Sequence, residues 1–313
     1  MSPARTTRTT TRRRTAAVAT AAVLGLGLTA CGSDSGTGSD DTASTGEDET
    51  SVSIGVPSGW DEGIAVSHLW QAVLEEEGYD VEMQTADVGV IYTGLAGGDF
   101  DITFDVWLPY THASYEEEYG DEVTDLGHWY DDAKLTIAVN EDSPAQSLED
   151  LAAMADEYDN KLVGIEAGAG LTKITQEEVI PTYGLEGMDY SISSTPAMLA
   201  ELKGKTDAGE NVAVTLWRPH WAYDEFPVRD LEDPDGALGE AEEIHVWGTK
   251  DFEDRYPTLT QLVGAFELDD EQLFSLENMM FNSDEYADES AAVDAWLEAN
   301  PTFVDDLKDA AGV

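Results

Sequence analysis

Residues 51–78 read SVSIGVPSGWDEGIAVSHLWQAVLEEEG and indicate the fold of the chain. Residues 52–56 alternate apolar and small side chains, which is typical of a β-strand. Apolar side chains then recur at the spacing of one helix face, at Val66, Leu69, Trp70, Val73 and Leu74. Asp61 and Glu62 suit the positive end of that helix, and Gly78 suits its end. The stretch therefore predicts a strand, a short loop and an amphipathic helix.

The same alternation continues along the rest of the chain. Further strands are predicted at residues 81–85, 101–108, 134–139, 161–166, 190–193, 212–217 and 243–246. Ser147 to Asp150 resembles a capping box, Pro196 suits a first helical turn, and helices are predicted near 269–280 and 286–297. Strands alternating with helices predict an α/β fold with largely parallel sheets, and 313 residues are enough for two lobes. Ligands of such folds usually bind at the carboxyl ends of the strands.

The composition is strongly acidic, with 66 Asp and Glu against 15 Lys and Arg and a net charge of −51. A nucleic-acid partner is excluded, because binding a phosphate backbone requires clustered basic side chains. We interpret the charge as a solvated surface suited to high salt, where screening over a few Å suppresses repulsion.

The N-terminus predicts the compartment. Residues 1–30 combine a cationic start, Arg12-Arg13-Arg14, with an apolar run over residues 16–30, which is too short to span a bilayer and is typical of a signal peptide. Leu28-Thr29-Ala30-Cys31 resembles a bacterial lipobox and contains the only cysteine of the chain. Residues 32–50 are a polar, flexible linker. The sequence therefore predicts an extracytoplasmic lipoprotein anchored to the outer face of the membrane through Cys31.

Three tryptophans follow or end predicted strands: Trp60, Trp107 and Trp217. A trimethylammonium group donates no conventional hydrogen bond, so a protein that selects it must offer π faces. Several tryptophans at loop positions are compatible with such an aromatic cage. The other reading for any single tryptophan is a core residue, which we expect for Trp70, Trp247 and Trp296.

An enzyme is the main alternative from another class. The sequence contains no Gly-x-Ser-x-Gly elbow, and the Gly168 to Lys173 segment lacks the spacing of a phosphate-binding loop. Leu231 occupies the first acidic position of a calcium-like loop, which argues against an EF-hand. The histidines lack metal-ligand spacing: His68, His112, His128, His220 and His245. We therefore predict no enzyme activity, no metal site and no cofactor.

Several motifs together resemble the glycine betaine-binding proteins of ABC osmoprotectant importers, from about residue 51 to the end. They are GWDEGIAV (59–66), DVWLP (105–109), GIEAGAG (164–170), MLAEL (198–202) and WRPHW (217–221). The resemblance implies a type II periplasmic-binding-protein fold whose two lobes close on a quaternary-ammonium ligand. It also implies an ABC permease, with its ATPase, as partner. Glycine betaine is the ligand that the resemblance favours; choline, carnitine and proline betaine remain alternatives, since they share its head group.

The resemblance also assigns candidate ligand residues. Trp107 and Trp217 match the family motifs best as cage walls, whereas Trp60, Trp221 and Phe266 compete for the third wall. His112 and His220 adjoin these motifs and are candidates for touching the ligand or the hinge.

Backbone amides are implied to hold the ligand carboxylate. The amides of Gly63 and Ile64 are the candidates, because a helix start presents unpaired donors, and 168–170 is the weaker alternative. One lobe is predicted to comprise residues 51–139 and 240–313, and the other residues 140–239.

Overall fold

The computed structural model describes residues 48–283 and 285–313. The predicted signal peptide, Cys31 and most of the predicted linker lie outside the described residues. Among the helices of the described ranges, none has both the length and the apolar character needed to cross a membrane.

Nine strands form a single sheet in the described part of the chain. Their bounds are β1 Ser51–Pro57, β2 Asp80–Ala86, β3 Ile102–Leu108, β4 Val123–Asn140, β5 Lys161–Val163, β6 Asp189–Ser191, β7 Ala213–Arg218, β8 Val228–Asp230 and β9 Glu242–Thr249. The strand order is β2-β1-β3-β9-β4-β7-β5-β6, and β8 pairs with β4. The strands predicted from apolar runs all lie in or overlap this sheet.

The long strand β4 divides the sheet into two halves. Residues 123–133 of β4 pair with β9, and residues 134–140 pair with β7 and β8. We call β1, β2, β3 and β9 the first half of the sheet, and β5 to β8 the second half. Within the halves, β1 runs parallel to β2 and β3, and β5 runs parallel to β6 and β7.

The prediction of largely parallel sheets is wrong at the centre of the molecule. The β3–β9, β4–β9, β4–β7 and β4–β8 pairs are all antiparallel. The reason is that β4 and β9 lie in the middle of the sheet, and each runs antiparallel to its neighbours. The local apolar pattern does not encode which strands lie side by side.

Helices cover both halves of the sheet. Their bounds are α1 Asp61–Glu76, α2 Val88–Gly97, α3 Ala113–Tyr119, α4 Leu148–Ala153, α5 Gly170–Ile174, α6 Ile180–Tyr183, α7 Thr195–Ala208, α8 Ala222–Glu225, α9 Phe252–Arg255, α10 Pro257–Gly264, α11 Asp270–Phe281, α12 Glu289–Ala299 and α13 Phe303–Ala311. The predicted capping box is confirmed, since the Ser147 side chain accepts from the Asp150 amide and the Asp150 side chain from the Ser147 amide.

Large aromatic side chains fill the core. Trp70, Trp247 and Trp296 are at most 2% exposed, which confirms their prediction as core residues. Trp70 stacks on Phe104 of β3 at 5.4 Å between ring centroids, so α1 is fixed against the strand that contains Trp107. This packing positions the start of α1 beside the end of β3.

Candidate functional site in a buried aromatic cavity

A cavity lies between the start of α1 and the ends of β3 and β7. Its lining comprises Trp60, Glu62, Trp107, Thr111, His112, Leu135, Ile165, Ala169, Gly170, Leu171 and Trp217. The cavity therefore suits a small solute with an apolar or cationic surface.

Each of the three lining tryptophans is positioned by the end of a helix or strand. Trp60 is the N-cap of α1, with an extended backbone, and is 6% exposed. Trp107 is the penultimate residue of β3, and Trp217 is the penultimate residue of β7; each is 3% exposed. The carboxyl ends of the two strands thus meet at the cavity, as an α/β sheet predicts.

Two buried carboxyl groups fix the orientation of Trp107 and Trp217. The Trp107 Nε1 donates to Oδ1 of Asp105 at 2.8 Å, and the Trp217 Nε1 donates to Oε2 of Glu62 at 2.9 Å. Asp105 is fully buried and Glu62 is 1% exposed. These two bonds fix the indole rings in the orientation in which they line the cavity.

Burial changes the protonation of these acids. It raises the pKa of Asp105 to about 7, although the hydrogen bond from Trp107 opposes the shift. Burial, together with the charges of Asp105 and Glu277, raises the pKa of Glu62 well above its usual range. Glu277 of α11 is also fully buried, and burial raises its pKa strongly. Of these three acids Glu62 is the one that lines the cavity, and its raised pKa favours the protonated, neutral form.

His112 adds a hydrogen-bond donor to the lining. Its Nδ1 accepts from the Trp107 amide at 2.9 Å, so the proton of the neutral ring lies on Nε2. Burial lowers the pKa of His112 to about 3, which keeps the imidazole neutral. The ring stacks on Trp60 at 5.5 Å between centroids. The buried His112 Nε2 and Trp60 Nε1 have no hydrogen-bond partner within residues 48–283 and 285–313.

Comparison with known proteins decides the family. The sequence model described as the substrate binding domain of the ABC-type glycine betaine transport system, OpuAC, matches residues 50–299. The chain belongs to this family. Its members are transport substrate-binding domains and not enzymes, so the enzyme alternative is set aside.

One curated relative of this OpuAC-family chain is the glycine betaine/carnitine transport binding protein GbuC of Listeria monocytogenes. It is 29% identical over 153 residues, which cover 48% of this chain and 50% of GbuC. The chain thus spans about half the length of this curated relative.

Solved structures of the OpuAC family share the fold. The lactococcal OpuAC structure, closed on glycine betaine, has a TM-score of 0.76 and 25% identity, covering 83% of this chain and 99% of that one. The glycine betaine/L-proline-binding protein ProX of Borrelia burgdorferi has a TM-score of 0.76 and 28% identity, with the same coverage. These neighbours support the predicted type II periplasmic-binding-protein fold.

The structure disagrees with the predicted amide donors for a carboxylate. The Ile64 amide donates to the Trp60 carbonyl at 2.9 Å as the first bond of α1, so it is not free. Gly63 does not belong to the cavity lining but packs on Asp105, where a Cβ atom would come within 2.3 Å of Oδ2. Glycine at position 63 is therefore explained by close packing.

The competitors for the third wall lie at different places. Phe266 is 1% exposed and packs edge-on against Trp70 at 5.2 Å, which makes it a core residue. The Trp221 Nε1 donates to Asp61 at 2.5 Å, and Trp221 does not line the cavity. Trp60 is the competitor that does line it.

His220 packs against Trp217, outside the lining of the cavity. It is fully buried, contacts Trp217 edge-on at 4.7 Å between centroids, and does not line the cavity. Its Nδ1 accepts from the Ala222 amide at 3.0 Å, and burial lowers its pKa to about 3. The geometry makes His220 a residue that fixes the Trp217 ring.

One lining residue, Glu62, is not predicted from the sequence as a ligand contact, whereas one weaker candidate segment does contribute to the lining. Glu62 was assigned only to the helix start, because acidic residues in a first turn are normally solvated. In the weaker candidate segment, Ala169 and Gly170 do line the cavity, and a Cβ atom at Gly170 would lie 2.0 Å from the Thr111 carbonyl oxygen. Glycine is thus required where the two halves of the sheet approach each other.

Proposed function

We propose that this chain is the substrate-binding component of an ABC importer and captures glycine betaine or a closely related quaternary-ammonium compound. The observation that carries the proposal is the presence of three tryptophans, Trp60, Trp107 and Trp217, in the lining of one buried cavity. Family membership supports the same function, because the matched domain is described as serving glycine betaine transport.

The cationic head of the ligand would be bound by the tryptophan faces. Each cation–π contact contributes about 0.5 to 2 kcal/mol, depending on how well water is excluded. The buried acids Glu62 and Asp105 lie at the ring edges of Trp217 and Trp107, since they accept the in-plane indole N–H groups. Any negative charge on these acids adds to the attraction for a trimethylammonium group.

Related ligands share the cationic head and differ at the opposite end, so the groups that contact that end determine which compound is preferred. His112 and Trp60 line the cavity, and their Nε2 and Nε1 donors, which have no partner among the described residues, suit a carboxylate. Glu62 also favours a carboxylate when it keeps its proton, whereas the ionised form would accept a hydrogen bond from the hydroxyl group of choline. We therefore favour a carboxylated ligand over choline.

Ligand capture would couple to closure of two lobes. We propose that residues 51–139 with 240–313 form one lobe and residues 140–239 the other. The change of partner of β4 from β9 to β7 supports a division into two lobes, with the crossing near residue 134 and not at residue 139. A ligand that contacts both lobes favours the closed state by its differential contacts, which is the state that would dock on the permease.

Titration of intrinsic tryptophan fluorescence tests the function. We expect saturable responses to glycine betaine and proline betaine, weaker responses to carnitine, and the weakest response to choline. A preferential response to choline would overturn the carboxylate assignment, and no response to any of the four compounds would overturn the proposed function.

We further propose that the chain is tethered outside the cell by a lipid on Cys31. The polar linker of residues 32–50 supports this, since it separates the anchor from the folded part. In cells that produce the full chain, Cys31→Ala should move the protein from the membrane fraction to the soluble fraction. Unchanged partitioning of the variant would contradict the tether.

A further inference from the structure

A histidine cluster lies on the sheet, outside the aromatic cavity. His128 of β4 and His245 of β9 are cross-strand partners, and Glu243 precedes His245 by two residues on the same strand. Because side chains alternate along a strand, Glu243 and His245 share one face. The antiparallel register thus brings together two imidazoles and a carboxylate that are distant in the sequence.

Two of the three ligand–ligand distances in this cluster match those of a metal-ligand set. The Glu243 Oε2 lies 3.4 Å from His128 Nδ1 and 3.2 Å from His245 Nε2. One potential ligand atom from each of the three residues lies within 4.8 Å of the others. A tetrahedral ion with bonds of about 2.0 to 2.1 Å holds its ligand atoms about 3.3 to 3.4 Å apart. The two measured edges match this separation without rearrangement of the backbone.

The far nitrogen of each imidazole already has a carboxylate partner. His245 Nδ1 lies 3.0 Å from Asp125, and His128 Nε2 lies 3.1 Å from Asp131. Metal-binding histidines commonly place their second nitrogen against a carboxylate in this way, because the contact fixes the tautomer and orients the ring. The cluster therefore contains the outer contacts of a metal site as well as the inner ligands.

The surroundings favour a positive charge and leave a path to it. Asp125, Asp131 and Glu243 bring three carboxylates to the two imidazoles, and these carboxylates attract a cation. The side chain of His245 is 14% exposed, those of His128 and Glu243 are 37% and 47% exposed, and His128 borders an open surface cleft. A hydrated cation can therefore reach the three ligand atoms.

We propose that His128, Glu243 and His245 form a binding site for one divalent transition-metal ion of the zinc class. Two imidazoles and one carboxylate suit zinc and its neighbours, whereas calcium and magnesium prefer oxygen ligands alone. The bound ion links β4 to β9. None of the three residues lines the aromatic cavity, so the site is independent of solute capture.

Calorimetric titration with Zn²⁺ tests the site. The chain is produced without a histidine tag, stripped with a chelator, and titrated in excess Mg²⁺ to occupy the many acidic groups of its surface. We expect one Zn²⁺ per chain. His128→Asn and His245→Asn should each lower the affinity by more than about 100-fold, and Asp125→Asn by about 10- to 100-fold.

His68→Asn is the matched control, because His68 lies on α1 away from the cluster and should leave Zn²⁺ binding unchanged. Circular dichroism verifies that each variant is folded. Bound Zn²⁺ should also raise the melting temperature of the wild-type chain but not of the two histidine variants. The proposal is overturned if no saturable site is found, or if the site survives both histidine substitutions, since binding would then belong to the acidic surface.

Discussion

Trp107 and Trp217 end corresponding strands in the two halves of the sheet, but they are held in different ways. The acceptor for Trp107 is Asp105, on the same strand, whereas the acceptor for Trp217 is Glu62, 155 residues away on α1. Trp221 repeats the second arrangement with Asp61, 160 residues away. The orientation of Trp107 is thus set locally, and that of Trp217 depends on contact between the two halves.

This difference gives the two tryptophans different parts in binding. A contact that exists before and after closure preorganises the cavity, and only a contact made on closure contributes to the population shift. By this argument the Trp107–Asp105 bond preorganises one wall. The bonds from Trp217 to Glu62 and from Trp221 to Asp61 would form on closure and would stabilise the closed state together with the ligand.

The largest expected effect is a loss of ligand affinity when either tryptophan wall of the cavity is removed. Trp107→Ala and Trp217→Ala should each weaken glycine betaine binding by more than about tenfold, because a desolvated cation–π contact of about 2 kcal/mol is lost. Isothermal titration measures the affinity, and Trp296→Phe serves as a control because Trp296 is a core residue that does not line the cavity. Near-unchanged affinity in both alanine variants would rule out the cage.

Much of the fold follows from local pattern, because apolar alternation and helical spacing report on burial directly. The predicted strands overlap β1 to β7 and β9, whereas residues 123–133 of β4 were missed because polar side chains interrupt the alternation. The short β8 gave no recognisable signal. These strands are defined by their partners more than by their own residues.

The residues of the candidate site also divide into those with a local sequence signal and those defined by distant contacts. Trp107 and Trp217 could be found from strand ends and family motifs, since these are local features. The occupied Ile64 amide, the burial of Glu62 and the pairing of His128 with His245 depend on contacts distant in the sequence. Spacing along the chain therefore predicted a donor, the Ile64 amide, that is already occupied in the structure, and it did not reveal the histidine cluster.

The two carboxyl acceptors offer a sharper test of the two arrangements. Asp105 holds Trp107 by a local contact, whereas Glu62 holds Trp217 by a contact distant in the sequence. Glu62→Ala should lower glycine betaine affinity by about tenfold with little change in ligand-free stability, because its bond to Trp217 contributes on closure. Asp105→Ala should lower the melting temperature of the ligand-free protein by at least about 2 °C, because Trp107 loses its partner in both states. Differential scanning fluorimetry with and without ligand separates the two effects.

Glu76→Ala is the matched control for Glu62→Ala, since Glu76 lies on the same helix with an exposed side chain. It should change neither the affinity nor the melting temperature by a measurable amount. Glu62→Ala and Asp105→Ala could instead lower affinity and melting temperature in the same proportion. The distinction between a preorganised wall and a closure contact would then be wrong.

The smallest expected effect is a pH dependence with opposite signs in stability and binding. Burial raises the pKa of Asp105 to about 7 and that of Asp61 to about 6, against an ordinary value of 3.8. Between about pH 4 and pH 7 the folded protein therefore binds more protons than the unfolded chain. The contribution of these groups to the free energy of unfolding must then fall as the pH rises through this window.

Ligand affinity should change in the other direction, because ionised Asp105 and Asp61 attract the trimethylammonium group. Lowering the pH from about 8 to about 5 should weaken glycine betaine binding by about 3- to 10-fold, which corresponds to a pKa change of about 0.5 to 1 unit on binding. Asp105→Asn should flatten this dependence, while Asp121→Asn, at an exposed position, should not. An affinity that stays constant or rises on acidification would mean that the buried acids support the rings without attracting the cation.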